Sequence, residues 1–385
     1  MHRPVLRTLA KSVSLIAVAA LAACDNASLP TAPQPSVLAK TAVAVGKHDA
    51  ITVMTYNIYQ GTELEHSVAA KTPAEFVVGA AQDFNMMRQT NFAERARAIA
   101  NEIAATSPDL VGMQEVALWR TGTYSSENPR APAETVEQDF LQMLLDALSA
   151  RGLHYGVVAS VNNFDVQGPA LFSFGLMNVR LTDRDVIIAH LDGRDHGLAL
   201  SNRQSSNFAT NLVIPTALGP VTVLEGWAAI DVKVRGRTMR FITTHLDAFV
   251  PQIRLAQASE ILAGPANTTL PVLIAGDMNT TTTTATYAAL TGAGFADVWA
   301  SLERSAPGLT CCQTLPAIDN PTSTLYERID LMLTRGGLDA KRISRVGADP
   351  STRTPSGLWP SDHAGLVAGF DFARHRESGD DEDSQ

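Results

Sequence analysis

The chain has 385 residues, 45% hydrophobic, 18% charged and 6% aromatic, with a formal net charge of -9. That is a globular composition and excludes collagen-like, disordered and coiled-coil classes. So acidic a chain is unsuited to coat nucleic acid passively, which needs a basic face, whereas an enzyme that grips phosphate through a few local groups and a metal stays open.

Residues 1–23 read as an export signal. Arg3, Arg7 and Lys11 make a positive start, and Val13 to Ala23 is an apolar run too short to span a bilayer as a mature helix. It ends in Leu21, Ala22, Ala23 and Cys24, which resembles a bacterial lipoprotein signal box. The resemblance implies cleavage before Cys24 and lipidation of that cysteine; an ordinary signal peptide with a chance cysteine is the alternative. Residues 24–47, with Pro30, Pro33 and Pro35 among Ser, Thr and Ala, read as a flexible tether. The expected location is a membrane-anchored lipoprotein facing the periplasm or the cell exterior.

From about residue 50 short apolar runs alternate with helical patterns, which predicts an α/β (α+β) domain over 48–373 with a sheet core. Ile51 to Tyr56 reads as a strand, Phe92 to Ala105 as a helix and Leu110 to Met113 as a buried strand. Val136 to Ala150 reads as a helix stopped by Gly152, followed by strands at 155–161 and 186–190. Residues 191–226 read as loop-rich. Trp227 to Val234 and Thr238 to Thr244 form a hairpin around Arg235 and Gly236. Arg254 to Leu262 is helical, and Pro271 to Ala275, Ile329 to Leu333 and Ala364 to Phe370 are strands. Residues 374–385 are a solvated acidic tail. Cys311 and Cys312 are adjacent, a poor zinc pattern; a vicinal disulfide and two reduced thiols are both open.

Polar residues gather where these strands meet loops, the place α/β folds tend to put sites. They are Thr55, Tyr56 and Asn57; Gln114 and Glu115; Thr243 to Asp247; Gly276 to Asn279; Arg328, Ile329 and Asp330; and Ser361, Asp362 and His363. Each alone has a plain structural explanation: a turn asparagine, a rim histidine, an Asp–Asn turn or a capping acid. Six such motifs, each punctuating an apolar strand, are not expected by chance. Carboxylates and asparagines in nearly cysteine-free company suit a hard cation, Mg²⁺, Mn²⁺ or Ca²⁺, rather than zinc.

In order and spacing, this series over about residues 51–370 resembles the endonuclease/exonuclease/phosphatase superfamily of deoxyribonuclease I, abasic-site endonucleases, neutral sphingomyelinases and inositol polyphosphate 5-phosphatases. The resemblance implies a four-layered sandwich, two mixed sheets face to face with helices outside. It implies Glu115 as the principal metal ligand, with Asn57 beside it and Asp362 near the metal. It implies that Asp277 orients or deprotonates the attacking water and that Asn279 holds the water or a phosphate oxygen. His363, oriented by Asp330, would contact the phosphate, with His245 as a second phosphate-side histidine. The implied function is a metal-dependent phosphoester hydrolase, foremost an extracytoplasmic nuclease or phosphodiesterase acting as a monomer.

Alternatives are a sphingomyelin or phospholipid phosphodiesterase or phosphatase, and a surface-anchored binding module on an inactive scaffold. The lipid branch needs an apolar contact loop, and no aromatic-rich hairpin is evident. Arg180, Arg184, Arg194 and Arg203 could line a phosphate groove, but Asp183, Asp185, Asp192 and Asp195 interleave with them, so solvated surface pairs are expected. Asn178 matches the family's substrate-contact segment poorly. Glu63 and Glu65 read as loop acids, and the threonine run 280–284 as pocket wall or spacer.

Overall fold

The computed structural model describes residues 49–192 and 198–373. The expected signal, Cys24, the tether, Arg194, Asp195 and the acidic tail lie outside the described residues. Strand β1 (Ile51–Asn57) is buried on both faces, and helices α1 (Glu65–Ala69), α2 (Pro73–Gln89) and α3 (Phe92–Thr106) lead from it to the equally buried β2 (Leu110–Gln114). Strands β3 (Leu118–Thr123) and β4 (Thr135–Asp139) precede α4 (Phe140–Ser149), and a long hairpin follows, β5 (Tyr155–Phe172) and β6 (Gly175–His190). Next come β7 (Ala199–Asn207), the small pair β8 (Leu212–Thr216) and β9 (Gly219–Val223), and the hairpin β10 (Gly226–Val234) with β11 (Arg237–His245). The chain continues through α5 (Pro251–Ala263), β12 (Val272–Asp277), α6 (Ala285–Gly292), β13 (Ala296–Asp297), α7 (Val298–Leu302), β14 (Asp330–Arg335), β15 (Leu338–Val346) and β16 (Gly365–Phe372).

Two large mixed sheets result. One has eight strands in the order β15-β16-β1-β2-β6-β3-β4 with β5 on β6, and the other six in the order β13-β14-β12-β11-β10-β7. The pairs β1–β2 and β11–β12 are parallel; their neighbours are antiparallel. The sheets stack on an apolar layer in which Ile51, Val53, Leu110 and Ile187 meet Phe241, Leu273, Ala275 and Met332. Helices α2 to α4 cover one outer face through Phe84, Phe92, Ile99 and Leu144, and α5 and α6 cover the other through Ala258, Ile261 and Leu290. This is the expected four-layered α/β sandwich. Gly112 marks how closely the sheets approach, because a Cβ there would stand 2.6 Å from Thr243 Oγ1 of the facing sheet.

Three local expectations are corrected. The helix expected from Val136 starts at Phe140, because 135–139 pair with β3 as a strand and the Asp139 side chain caps the helix by accepting from Leu141 N and Gln142 N. Residues 191–226 are not mainly loop: β7 is a strand because its backbone ladders with β10, although its side chains are polar and alternate without an apolar face. The expected strands at 155–161 and 186–190 are the far ends of one long hairpin. Its tip also supplies the aromatic feature the sequence seemed to lack, with Phe174 75% exposed and stacked at 5.3 Å on Phe172. Among the described residues no helix is long and apolar enough to cross a membrane.

Candidate active site

The alternation of a strand explains where the polar residues go. Along β1, Ile51 and Val53 face the opposite sheet, and two more steps of two reach Thr55 and Asn57. Along β12 the same face carries Leu273 and Ala275, then Asp277; along β11 it carries Met239 and Phe241, then Thr243 and His245. In β14 the face runs from Asp330 to Met332. Each inter-sheet face is therefore apolar until one end of the sandwich and polar there. Register brings the ends together, since His245 pairs with Asp277 and Asp277 with Asp330 across the ladder, and Asn57 pairs with Gln114. Gly276 permits this arrangement: its φ is +154°, and a Cβ would collide with the Thr244 carbonyl oxygen.

Asn57 is the hub. Its Nδ2 donates to Glu115 Oε1 at 2.8 Å and to Asp277 Oδ2 at 3.2 Å, while its Oδ1 accepts from Tyr59 N at 3.0 Å. Glu115 has a left-handed φ of +57°, uncommon for a non-glycine residue, and its other oxygen accepts from Gln60 N at 2.8 Å. Asn279, also left-handed at φ +45°, donates its backbone N–H to Asp277 Oδ1 at 2.9 Å and its side-chain amide to Leu246 O at 2.8 Å. That amide lies 3.1 Å from His245 Nε2. His363 Nδ1 stands 2.8 Å from Asp330 Oδ2, leaving its Nε2 3.7 Å from Asp277 Oδ2 and 4.0 Å from Asp362 Oδ2. Ser361 Oγ ties the loop to β1 by donating to Asn57 O at 2.7 Å. All eight residues expected to form the site thus share one linked cluster.

The charges shift one another. Burial alone would make the two histidines harder to protonate. The carboxylates outweigh it: Asp330, Asp362 and Asp277 raise His363 well above the ordinary imidazole value, and Glu225, Asp277 and Glu115 raise His245 to about 10. Burial likewise would raise Asp277, but His363, His245 and the Asn279 N–H hold it below the ordinary carboxylate value. Burial dominates at Asp330, which is raised despite His363, and at Asp362, which burial and Glu115 push up to about 6. Glu63, expected to be a plain loop acid, joins this field: partial burial, Asp362 and Glu115 push its carboxyl up to about 8, although its side chain keeps an open face to solvent.

Four carboxylates, three of them buried and Glu115 half-buried, together with two buried histidines are an oxygen-rich set suited to a hard divalent cation. Ligand atoms of Asp277, Asp330 and His363 lie within 4.8 Å of one another, and Asp330 Oδ1 is buried with no hydrogen-bond partner. The cluster as a whole, with Glu115 and Asp362 among its oxygen donors, therefore fits such an ion. Cys311 and Cys312 are bonded to each other, and their sulfurs lie within 4.8 Å of a His363 ring nitrogen.

The remaining expectations divide. Arg180 pairs with Asp165 and Glu134, and Arg184 with Asp139, so both are ion-paired rather than free for phosphate. Asn178 turns its amide to Ala131 O at 3.2 Å. Asp183 and Asp185 are not surface partners of the arginines, as the alternation suggested; they are 1% and 0% exposed, on the inter-sheet face of β6 that carries Ile187 and Ala189. With Glu225 they stand behind His245. Sequence reading took Asp183 and Asp185 for surface pairs because an Asp among Arg looks like a salt bridge until the strand's facing is known, and it passed over Glu225, which lies in a segment read as loop. The period-2 spacing of Asp183 and Asp185 with Ile187 and Ala189 is the signal that could have placed them.

A two-sheet α/β sandwich with a carboxylate, asparagine and histidine cluster at one end of its inter-sheet faces is a recognised class of architecture. Residues 54–363 match the Endonuclease/Exonuclease/phosphatase family, well over half of the chain, and the protein belongs to that family. Among solved structures, an endonuclease/exonuclease/phosphatase family protein of Bacteroides thetaiotaomicron is 16% identical with a TM-score of 0.54, over 84% of this chain and 98% of that one. A mannosyl-6-phosphatase of the same organism is 17% identical with a TM-score of 0.50, over 84% and 100%. A family protein of Leptotrichia buccalis is 16% identical, also at 0.50, over 84% and 100%. At these identities the likeness speaks to the fold. No curated protein matches the chain.

Proposed function

We propose that this protein is a divalent-metal-dependent phosphoester hydrolase, foremost a phosphodiesterase or nuclease working outside the cytoplasm from a lipid anchor on Cys24. The observation that carries this reading is the hydrogen-bonded convergence of Glu115, Asn57, Asp277, Asn279 and the Asp330–His363 pair, contributed by both sheets. Glu115, with Asp362 and Asn57 nearby, would hold Mg²⁺, Mn²⁺ or Ca²⁺, which when bound offsets charge on the phosphate oxygens and the leaving alkoxide. Asp277 is ionised at neutral pH, so it accepts a hydrogen bond from the attacking water and aims it. Asn279 adds an amide beside the same carboxylate. His363, kept protonated by Asp330, donates to a phosphoryl oxygen from Nε2, and His245 offers a second N–H donor.

A second reading, attack on phospholipid or sphingomyelin headgroups, is favoured by one feature. Leu171, Phe174 and Leu176 are all exposed at the tip of the β5–β6 hairpin, an apolar contact surface of the kind a lipid substrate requires. The test for both readings is hydrolysis of bis(p-nitrophenyl) phosphate with Mg²⁺ or Mn²⁺, followed by a panel of plasmid DNA, RNA, sphingomyelin and phosphatidylinositol. Expected are activity that stops with EDTA and its loss in Glu115→Ala and His363→Ala. A folded protein that hydrolyses none of these substrates leaves the binding-module reading in its place.

A further inference from the structure

The buried acids behind His245 enter the chemistry above only through the charge that Glu225 exerts on the imidazole. There are three of them: Asp183 and Asp185 from β6, and Glu225 from the turn entering β10. All are nine-tenths buried or more, at 1%, 0% and 7% exposed. The only side-chain amide bonded to them is Asn163, which donates to Asp183 Oδ2 at 2.9 Å and lies near Asp185, among the described residues. Asp183 Oδ1, both oxygens of Asp185, Glu225 Oε2 and His245 Nδ1 have no hydrogen-bond partner. Buried polar atoms are almost always satisfied, and burial holds Asp185 and Glu225 well above the ordinary carboxylate value, so the cluster resists carrying its full negative charge unaided. Five such atoms in one place require an explanation.

Their spacing supplies one. A ligand atom from each of Asp183, Glu225 and His245 lies within 4.8 Å of the other two. A single divalent ion with bonds of ~2.0–2.4 Å holds its ligands no farther apart than about 4.8 Å. His245 already directs Nε2 toward Asn279 and Asp277, at 3.1 Å and 3.6 Å, which leaves Nδ1 for the three acids. We propose that Asp183, Glu225 and His245 Nδ1, backed by Asp185, form a second metal site, distinct from the Glu115 centre, for a divalent transition cation of the Mn²⁺ or Zn²⁺ kind. Imidazole with carboxylates favours such an ion over Ca²⁺ or Mg²⁺. It would take the place of a proton on Nδ1, offset the charges of Asp183 and Glu225 together, and fix the imidazole with its Nε2–H turned toward the reacting phosphate. His245 would then be a link between a structural metal and the catalytic cleft.

The experiment reads metal content rather than activity, so it stands whether or not the substrate reading holds. The full chain is expressed with Mn²⁺ and Zn²⁺ supplied, dialysed against metal-free buffer, and its bound metal per chain measured by plasma mass spectrometry. Wild type, Glu115→Gln, Asp183→Asn and Glu225→Gln are compared. Expected is one equivalent of Mn²⁺ or Zn²⁺ that survives Glu115→Gln and disappears in Asp183→Asn and Glu225→Gln. X-ray absorption at the edge of the retained metal should show nitrogen as well as oxygen ligands. Metal lost completely in Glu115→Gln overturns the proposal, as does unchanged content in folded Glu225→Gln. If Asp183→Asn and Glu225→Gln do not fold, the double variant Glu115→Gln/His363→Ala with its absorption spectrum decides alone: no bound ion, or an ion with oxygen ligands only, refutes the site.

Discussion

Asp330→Asn isolates what one charge does at constant shape. Asp330 is fully buried and its Oδ2 lies 2.8 Å from His363 Nδ1, so the neutral amide keeps an oxygen that can accept the ring proton. What disappears is the charge that, with Asp362 and Asp277, holds His363 protonated against the cost of burial. A hydrogen bond to a charged group contributes ~1.5–3 kcal/mol, and two unit charges at this range interact by about 4 kcal/mol at an effective dielectric of ~20. A transition-state loss of roughly 2–4 kcal/mol follows, or a ~30- to 1,000-fold fall in kcat/KM. Stability should not fall in step. The fold raises Asp330 above the usual carboxylate value, so its ionised form is tolerated rather than favoured there, and Asn removes that penalty. The assay is bis(p-nitrophenyl) phosphate hydrolysis across pH with parallel thermal melts. The variant should regain rate as pH falls, because an imidazole without its anionic partner protonates only in more acidic solution. A rate within about threefold of wild type at neutral pH, or a loss with no change in the pH profile, refutes the cationic role of His363.

Other expectations are as direct. Glu115→Gln should bind the catalytic ion at least tenfold more weakly by roughly the loss of one anionic ligand, and titration of Mg²⁺-dependent activity reads it. Arg180→Gln should leave kcat/KM within about twofold, since Arg180 already serves Asp165 and Glu134; a large loss in steady-state kinetics would return it to the phosphate groove. Gly112→Val should destabilise by several kcal/mol or prevent folding, because its Cβ would press on Thr243 across the sheets; an unchanged denaturant midpoint would contradict the packing. Glu102 gives a pH test remote from the cleft. Burial pushes it up to about 8, so the fold binds its proton more tightly than the unfolded chain, and stability is lost as pH rises from about 4.5 to 8. Glu102→Gln should therefore melt higher than wild type at about pH 9 and alike at about pH 4, and melts that differ equally at both would exclude the mechanism.

Much of this protein is written locally. Apolar runs bounded by polar punctuation marked the central strands, and Asn57, Glu115, Asp277, Asn279 and Asp362 were legible because each sits where such a run ends. The helix at 73–89 and the edge strands were not. The first buries mainly Gly, Ala and Met with Phe84, a weak stripe, and the second hold their place through backbone ladders rather than side-chain pattern. Phe174 at the hairpin tip escaped notice for a related reason, since the polar middles of β5 and β6 hide the length of the strands that carry it outward.

The chain order of residues settles which side chains share a face, because a strand's period is two whatever it packs against. It could not settle which faces meet. That Asp183 and Asp185 lie behind His245 rather than beside Arg180 and Arg184 depends on the facing of β6 and on a second sheet whose His245 comes sixty residues after Asp185. Whether an acid is a solvated surface charge or an unpartnered buried one is a property of the dielectric around it, and only tertiary packing creates that.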